Sequence, residues 1–450
     1  MKWDPKLISK YNINGPRYTS YPTALALDSQ FDQRNIARAI KPAATELSLY
    51  IHIPFCHKLC FYCGCNKVIT RHQHKAEIYL DALAQEMRLY SELLIHKRIN
   101  QLHLGGGTPT FLTEAQLTRL MAMIKQHFGL NSDAEISIEI DPRSCSDQKL
   151  THLRKLGFNR VSYGVQDLDE KVQIAINRVQ ETDLIRHQVS LSRELGFDSI
   201  NLDLIYGLPF QHPDSFSQTL EQIVALQPDR VSLFSYAHLP QRFAAQRKLD
   251  NANLPSASLK LQLQQLGIKA FVNAGYQFIG MDHFAKPNDK LAIVQRQGKL
   301  QRNFQGYTTS GQDALIGLGV SSISQVNGVL WQNSKELPSY YQHINSGCLP
   351  VERGFTLNDD DKKRAALISQ LICHFELDID SYCQQWEIDR FDSYFEMELQ
   401  RLQPFIEDNM VEMTSDKIVV TPIGRLWVRS ICACFDAYLQ HNQQRYSKVV

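Results

Sequence analysis

An excess of charge of either sign is missing from this sequence: Lys+Arg 48 against Asp+Glu 47 leaves a net charge of +1 over 450 residues. Such a balance supplies no bulk field to draw nucleic acid or an acidic membrane, so neither is expected as a partner. Long apolar runs are missing too. No stretch reaches the ~20 residues of a membrane span, and the opening "MKWDPKLISKYNINGPRYTSYP" lacks the apolar core of a secretory leader. The expectation is a cytoplasmic protein. In that compartment the 10 cysteines are expected as thiols rather than as a disulfide framework. Cys145, Cys348, Cys373, Cys383, Cys432 and Cys434 are scattered and read as small buried hydrophobes. No short-period repeat or low-complexity tract is present, so a repeat architecture is not expected.

The remaining composition, 43% hydrophobic and 21% charged, is that of a globular chain long enough for two or three domains. From Leu47 to about Ile279, short β-branched or aromatic runs recur: "LSLYIHI", "INQLHLG", "EISIEI", "RVSYGV", "SINLDLIYG", "RVSLFSYA" and "YQFIG". Between most of them lie segments with apolar residues at helical spacing, such as "HKAEIYLDALAQEMRLYSELL" and "TEAQLTRLMAMIKQHF". This alternation predicts an α/β fold with a parallel sheet and crossover helices, closed into a barrel or left partial. The Pro- and Tyr-rich residues 1–46 read as an extended arm and 47–353 as the catalytic domain. Residues 354–450 read as a small, mostly helical C-terminal domain with one hairpin at "VEMTSDKIVV" and a closing helix at "TPIGRLWVRSICACFDAYLQ".

The first strand runs into "FCHKLCFYCGCNK", which places Cys56, Cys60, Cys63 and Cys65 within ten positions. Thiols this dense serve disulfides, zinc or an iron–sulfur cluster. Zinc sites commonly use two separated C-x2-4-C pairs, or Cys with His, and here the thiols are contiguous. A two-cluster ferredoxin would repeat its motif, and no second copy is present. Three thiolates at C-x3-C-x2-C on a loop after the first strand fit a [4Fe–4S] cluster with one iron left open to a ligand.

That pattern is the signature of the radical S-adenosylmethionine family. With "GPRYTSYPT", "LHLGGGTPT", "ISIEIDPR", "GVQD", "INR", "NLDLIYGLP" and "GYQFIGMDHFA", essentially the whole chain resembles the oxygen-independent coproporphyrinogen III oxidases. The resemblance implies a partial (β/α)6-type barrel, with Cys56, Cys60 and Cys63 holding a [4Fe–4S] cluster. Cys65 would be a non-ligand with a supporting catalytic role. It also implies two S-adenosylmethionine molecules per chain. Tyr50, Gly106, Glu139 and Ile323 match the first site; Tyr62, Gly107, Thr108, Gln166, Arg178, Asp203 and Ala237 match the second. Tyr163, in "VSYGVQD", stands where an apolar, unbranched residue is expected.

The residues support this placement on their own terms. The cysteines follow strand one, Gly105–Gly107 follow strand two, and Glu139 and Gln166 close strands three and four. Asp203 lies in strand five and Ala237 ends strand six. In barrels, functional groups collect at the C-terminal rim of the parallel strands. "GGGTP" lets a ligand approach the backbone without Cβ interference. His52 shares a strand face with Tyr50 and is a further catalytic candidate. Arg17, in the arm, is a candidate clamp for a carboxylate.

The implied reaction is the oxidative decarboxylation of the ring A and B propionates of coproporphyrinogen III to vinyl groups, giving protoporphyrinogen IX. The implied partners are a flavodoxin- or ferredoxin-type electron donor and an electron acceptor the sequence does not identify, with the chain acting as a monomer. Related haem-trafficking proteins share the cysteine motif but start near the first strand, so "GPRYTSYP" separates them. An electron-transfer protein would leave "GGGTP", Glu139 and Asp203 without a purpose, and a zinc-stabilised module would be colourless.

Overall fold

The structure is a computed structural model that describes residues 10–11, 15–309 and 314–439. Its main sheet has twelve strands, numbered along the chain: β1 (Glu46–Ile53), β2 (Arg98–Gly106), β3 (Gly129–Ile140), β4 (Arg160–Gln166), β5 (Ser199–Tyr206), β6 (Arg230–Ser235), β7 (Gln277–Gly280), β8 (His283–Ala285), β9 (Ala314–Leu318), β10 (Ile323–Val326), β11 (Val329–Asn333) and β12 (Val351–Thr356). The spatial order is β12-β11-β10-β9-β1-β2-β3-β4-β5-β6-β8-β7. Strands β1 to β6 are parallel and adjacent in chain order, which is the expected six-unit series.

Helices His74–Ser91, Glu114–His127, Asp147–Leu156, Thr182–Glu194 and Pro213–Ala225 carry the crossovers. The second starts where "TEAQ" allows it: Thr113 accepts from the Gln116 N–H while the Gln116 side chain accepts from the Thr113 N–H. That closes a capping box and satisfies two otherwise orphaned donors.

Side chains alternate across each strand. One face of β1 carries Leu47, Leu49, Ile51 and Ile53, all 0% exposed, and packs under the helices. Each such side chain contributes roughly 1.5–3 kcal/mol by leaving water. The other face carries Ser48, Tyr50 and His52. The same alternation sets Gln101 and His103 opposite Leu102 and Leu104, and Ser137 and Glu139 opposite Ile136 and Ile138. Further round, Arg160 and Ser162, Asn201 and Asp203, and Arg230 and Ser232 continue the polar face. Many of these residues, from β2 to β6, line one cavity of about 230 Å³, so the sheet curls with its polar face inward. In a sheet buried on both faces the strands would be apolar throughout. Here the lumen is polar.

Several elements differ from the sequence reading. "YQFIG" is not a seventh parallel strand: β7 forms an antiparallel hairpin with β8, which pairs antiparallel with β6. The parallel series is extended at the opposite edge, where β9 lies parallel to β1 and then hands over to the antiparallel run β10–β12. The last of these strands runs to Thr356, across the boundary placed at 353. The hairpin Val411–Met413/Lys417–Val420 gains a third strand, Glu376–Asp378. The closing helix is short, a 3₁₀ turn at Gly424–Trp427 followed by Val428–Ala433; its expected last residue, Gln440, lies outside the described residues.

The arm is not simply extended. It contains a helix, Arg34–Ile40, and its tyrosines are buried against the C-terminal segment. The Tyr11 hydroxyl donates to the Pro404 carbonyl (2.8 Å), Tyr18 to Asp436 (3.0 Å), and Arg429 Nε to the Pro16 carbonyl (3.0 Å). Residues 1–9 and 12–14 of the arm lie outside the described residues. Tyr163 faces outward from β4 and is buried, yet its hydroxyl is satisfied by Ser192 at 2.7 Å, so a phenol fits there without leaving a polar atom unpaired.

Candidate active site

The thiol loop is pinned at both ends. Phe55–Cys56 pairs parallel with Val68–Ile69, and the Thr70 N–H donates to the Cys56 carbonyl at 3.0 Å. At its tip the Phe61 N–H donates to the Ile176 carbonyl (3.0 Å) and the Asn177 amide to that of Leu59 (2.7 Å). The Lys67 ammonium braces the loop from within, donating to the carbonyls of Cys63 (3.0 Å) and Cys65 (3.3 Å).

Cys56, Cys60, Cys63 and Cys65 line a cavity of about 220 Å³ together with Tyr62, Gly106, Gly107, Thr108, Gln166, Arg178 and Asp203. Cys56 Sγ lies 3.4 Å from the Thr108 hydroxyl, and burial pushes this thiol up to about 12. Cys63 is drawn the other way, to about 6, chiefly by a hydrogen bond from the Cys65 thiol and with help from the Lys67 ammonium. Arg178 and Arg143 point guanidinium nitrogens at Cys60 Sγ from 3.5 and 3.6 Å. Among the described residues, no three thiol, imidazole or carboxylate groups gather closely enough to hold a single metal ion. A cubane cluster takes each thiolate on a different iron, so its ligands stand further apart than those of one ion. The donor set fits such a cluster.

A second cavity, of about 320 Å³, adjoins the first and shares Cys65, Gly106 and Glu139 with it. Tyr50, His52, His103, Ser321, Ser322 and Ile323 complete much of its wall. Here Tyr50 Oη lies 3.1 Å from His52 Nδ1, and His52 Nε2 lies 2.9 Å from the Asn66 carbonyl. Since a carbonyl only accepts, the proton sits on Nε2 and Nδ1 accepts from the phenol. Burial holds the His52 pKa below its ordinary value, keeping the ring neutral. Gly106 is fixed by this neighbour: its φ is +116°, and a Cβ there would lie 2.6 Å from the His52 ring. Its N–H donates to Glu139 Oε2 at 3.1 Å.

The two sets of ligand residues read from the sequence thus fall largely into two adjoining cavities. Tyr50, Gly106, Glu139 and Ile323 all line the second; Tyr62, Gly107, Thr108, Gln166, Arg178 and Asp203 all line the first. Ala237 lines neither, but the Gln246 amide donates to its carbonyl (3.1 Å) and to that of Tyr62 (2.9 Å), holding the two side by side. Gln166 sits at a register shift with φ +70°, a conformation a non-glycine residue rarely adopts and one that re-aims its side chain. Asp203 accepts from Ser162 (2.9 Å) and Asn201 (2.8 Å), and burial pushes its carboxyl up to about 6. Arg17 lies at the barrel mouth, donating to Asp282 at 2.5 Å and to the Ser235 carbonyl, 6.0 Å from the Phe234 ring that lines the first cavity.

Other site residues were missed. Asp141 carries a bidentate bond from Arg143 and a contact from Arg178 at 3.4 Å; burial opposes its charge, but the two guanidiniums outweigh this and hold it low. The bracing partner of Arg178 is Asp141. Arg178 also donates to the Gly164 carbonyl at 2.5 Å, leaving only Nε unpartnered. "EIDPR" stood in the motif that yielded Glu139, and an acid two residues before an Arg on a strand-to-helix turn was the available signal.

The Radical SAM superfamily model matches residues 50–223. Oxygen-independent coproporphyrinogen III oxidase of Salmonella typhimurium is 51% identical over 451 residues, covering 100% of this chain and 98% of its own. The protein of that name from Pseudomonas aeruginosa is 48% identical over 457 residues, covering 100% and 99%. Among solved structures, coproporphyrinogen III oxidase from Escherichia coli, described as a radical SAM enzyme, matches with a TM-score of 0.93 and 48% identity over 98% of this chain and 100% of that one. Half of the residues shared from end to end, on a barrel whose rim gathers four thiols and two adjoining polar cavities, place this chain in the oxygen-independent coproporphyrinogen III oxidase family of radical SAM enzymes.

Proposed function

We propose that the protein converts coproporphyrinogen III to protoporphyrinogen IX in haem biosynthesis, by oxidative decarboxylation of the ring A and B propionates without oxygen. The observation that carries this reading is the pair of adjoining cavities at the thiol loop, in a chain half-identical to its named relatives from end to end.

Cys56, Cys60 and Cys63 would hold a [4Fe–4S] cluster, with Cys65 beside it as a supporting thiol. When bound, the cluster and S-adenosylmethionine supply a 5′-deoxyadenosyl radical. The chain's own groups position the reactants. Glu139, beside the Gly106 N–H, would accept from an ammonium or from ribose hydroxyls. Asp203 and Gln166 offer the same kind of acceptors in the first cavity, so we assign one S-adenosylmethionine to each cavity. Arg178, held by Asp141, supplies positive charge for the methionine carboxylate and the thiolates alike. The neutral His52 orients the Tyr50 phenol at the wall between ligand and strand.

On the substrate, a propionate β-carbon would lose a hydrogen atom once that radical is supplied. The Cα–carboxylate bond then breaks, carbon dioxide leaves, and one electron passes to an external acceptor as the vinyl double bond forms. Arg17 would release Asp282 to clamp a propionate. A flavodoxin- or ferredoxin-type protein would supply reducing electrons. We place this chemistry in residues 47–353, between the arm and the C-terminal domain, in a monomer working in the cytoplasm. No helix among the described residues is long and apolar enough to cross a membrane.

Anaerobic reconstitution, followed by chromatography of products from coproporphyrinogen III, tests the reading. Vinyl products must appear only with S-adenosylmethionine and a reductant. Absence of product from a cluster-loaded protein would refute it.

A further inference from the structure

A cavity of about 450 Å³ lies outside the barrel, between the arm, the β10 turn and helix Asp359–His374, and shares no lining residue with the cavities described above. Its walls are mixed: Tyr18 and Tyr21 from the arm, Ile368 and Ile372 from the helix, and Trp386 supply apolar surface, beside uncharged polar groups such as Gln325 and Asn327. Two cations line it, Arg302 and Lys362, and no acidic residue does. Lys362 is exposed and pairs with Asp359 at 3.0 Å.

Arg302 is different. It is 6% exposed, and among the described residues its Nε and Nη1 find no hydrogen-bond partner. Its guanidinium lies over the Tyr307 ring at 4.6 Å, and among the described residues it forms no ion pair. Other guanidiniums with side chains as buried are treated otherwise: Arg160 faces Glu135, Arg230 faces Asp289 and Arg364 faces Glu398, at 2.6 to 2.9 Å. An unpaired charge in such a place is costly unless a counter-ion arrives. The Trp386 indole N–H on the same cavity is likewise buried, with no acceptor among the described residues.

We propose that this cavity is a second small-molecule site, distinct from the active site, which takes a carboxylate carried on an apolar ring or chain. The carboxylate meets the field of Arg302, and the apolar body lies among Tyr18, Tyr21 and Trp386. The volume falls within the range of small-ligand pockets. Occupation would bear on the arm at Tyr18, one residue from Arg17 at the barrel mouth.

Equilibrium dialysis on the anaerobic, cluster-loaded full chain tests this with three probes: protoporphyrin IX, decanoate and inorganic phosphate. Protoporphyrin IX, decanoate or both should bind at least tenfold more tightly than phosphate. A preference for the porphyrin assigns the site to tetrapyrroles, and one for decanoate assigns it to acyl chains. Arg302→Met should weaken that binding at least tenfold while keeping the brown absorption. Ala366→Phe, which fills the cavity with Arg302 intact, should abolish it and serves alone should Arg302→Met not fold. Binding of neither apolar carboxylate, phosphate binding as tightly, or binding unchanged in Ala366→Phe would each overturn the proposal.

Discussion

Glu86 offers a direct measure of how burial acts on this fold. It sits on helix His74–Ser91, fully buried, with Oε2 accepting from the Tyr340 hydroxyl (2.7 Å) and the Gly319 N–H (2.8 Å), and Oε1 from the Asn333 amide (2.7 Å). Those bonds favour the anion, but burial outweighs them and pushes the carboxyl from its ordinary 4.5 up to about 7. At 1.36 kcal/mol per tenfold change in proton affinity, that difference is worth roughly 3 kcal/mol. The sign follows from proton counts. Between pH 4.5 and about 7 the folded chain holds a proton here that the unfolded chain has lost, so stability falls as pH rises through this window. Below it the penalty is absent; above it the penalty is complete. Glu86→Gln removes the titration and exchanges one well-made hydrogen bond for a poorer one, a loss of about 1 kcal/mol. The variant should therefore roughly match the parent near pH 5, where the first part of the penalty offsets the lost hydrogen bond, and be more stable at pH 8 by about 2 kcal/mol. Urea unfolding of parent and variant at matched pH values, compared as differences so that other groups such as Asp203 cancel, reads the crossing. A difference that stays constant from pH 5 to 8 would refute the reasoning.

Cys56→Ser, Cys60→Ser and Cys63→Ser should each abolish the brown absorption of anaerobically prepared protein, whereas Cys65→Ser should keep it and lose turnover. Equilibrium binding should give two S-adenosylmethionine per chain, falling to one in Asp203→Asn and Arg178→Leu with the cluster retained. Gly106→Ala meets the His52 ring and a left-handed backbone together, so it should cost about 2–5 kcal/mol and weaken S-adenosylmethionine binding; thermal melting and dialysis read both. Arg17→Gln should cut coproporphyrinogen III conversion at least tenfold with cluster and S-adenosylmethionine binding intact, and unchanged turnover would remove Arg17 from the substrate site.

The parallel series was legible because six short strands recur between amphipathic helices, a local signal repeated until accident is excluded. The polar lumen was legible too, though only from the alternation within each strand: "INQLHLG" and "EISIEI" place a polar residue at every second position, which a doubly buried parallel strand does not do. Read that way, Gln101, His103, Ser137, Ser162, Asn201 and Ser232 could have been assigned to the interior. Strands β10 to β12 carried no comparable signal, because their pairing is antiparallel and turn-driven, and they interrupt rather than continue the strand–helix rhythm. The Arg178–Asp141 contact spans 37 positions and depends on two loops meeting at the rim, which no local pattern encodes. The arm misled for a related reason. Tyr and Pro without periodicity look like an extended segment when their partners lie at the other end of the chain.

That clasp has a consequence for biosynthesis. Tyr11 and Tyr18 find their acceptors 393 and 418 residues further along. On the ribosome the arm therefore emerges long before Pro404 and Asp436 exist, and the barrel beside it can be complete while the arm still has no seat. Arg17, held between these anchors, reaches Asp282 at the barrel mouth only after the C-terminal segment has been released. Nascent chains halted before Asp436 should thus carry a formed barrel with an unseated arm, open to proteases at Arg17, and turnover should begin only when the last turns of the chain have docked.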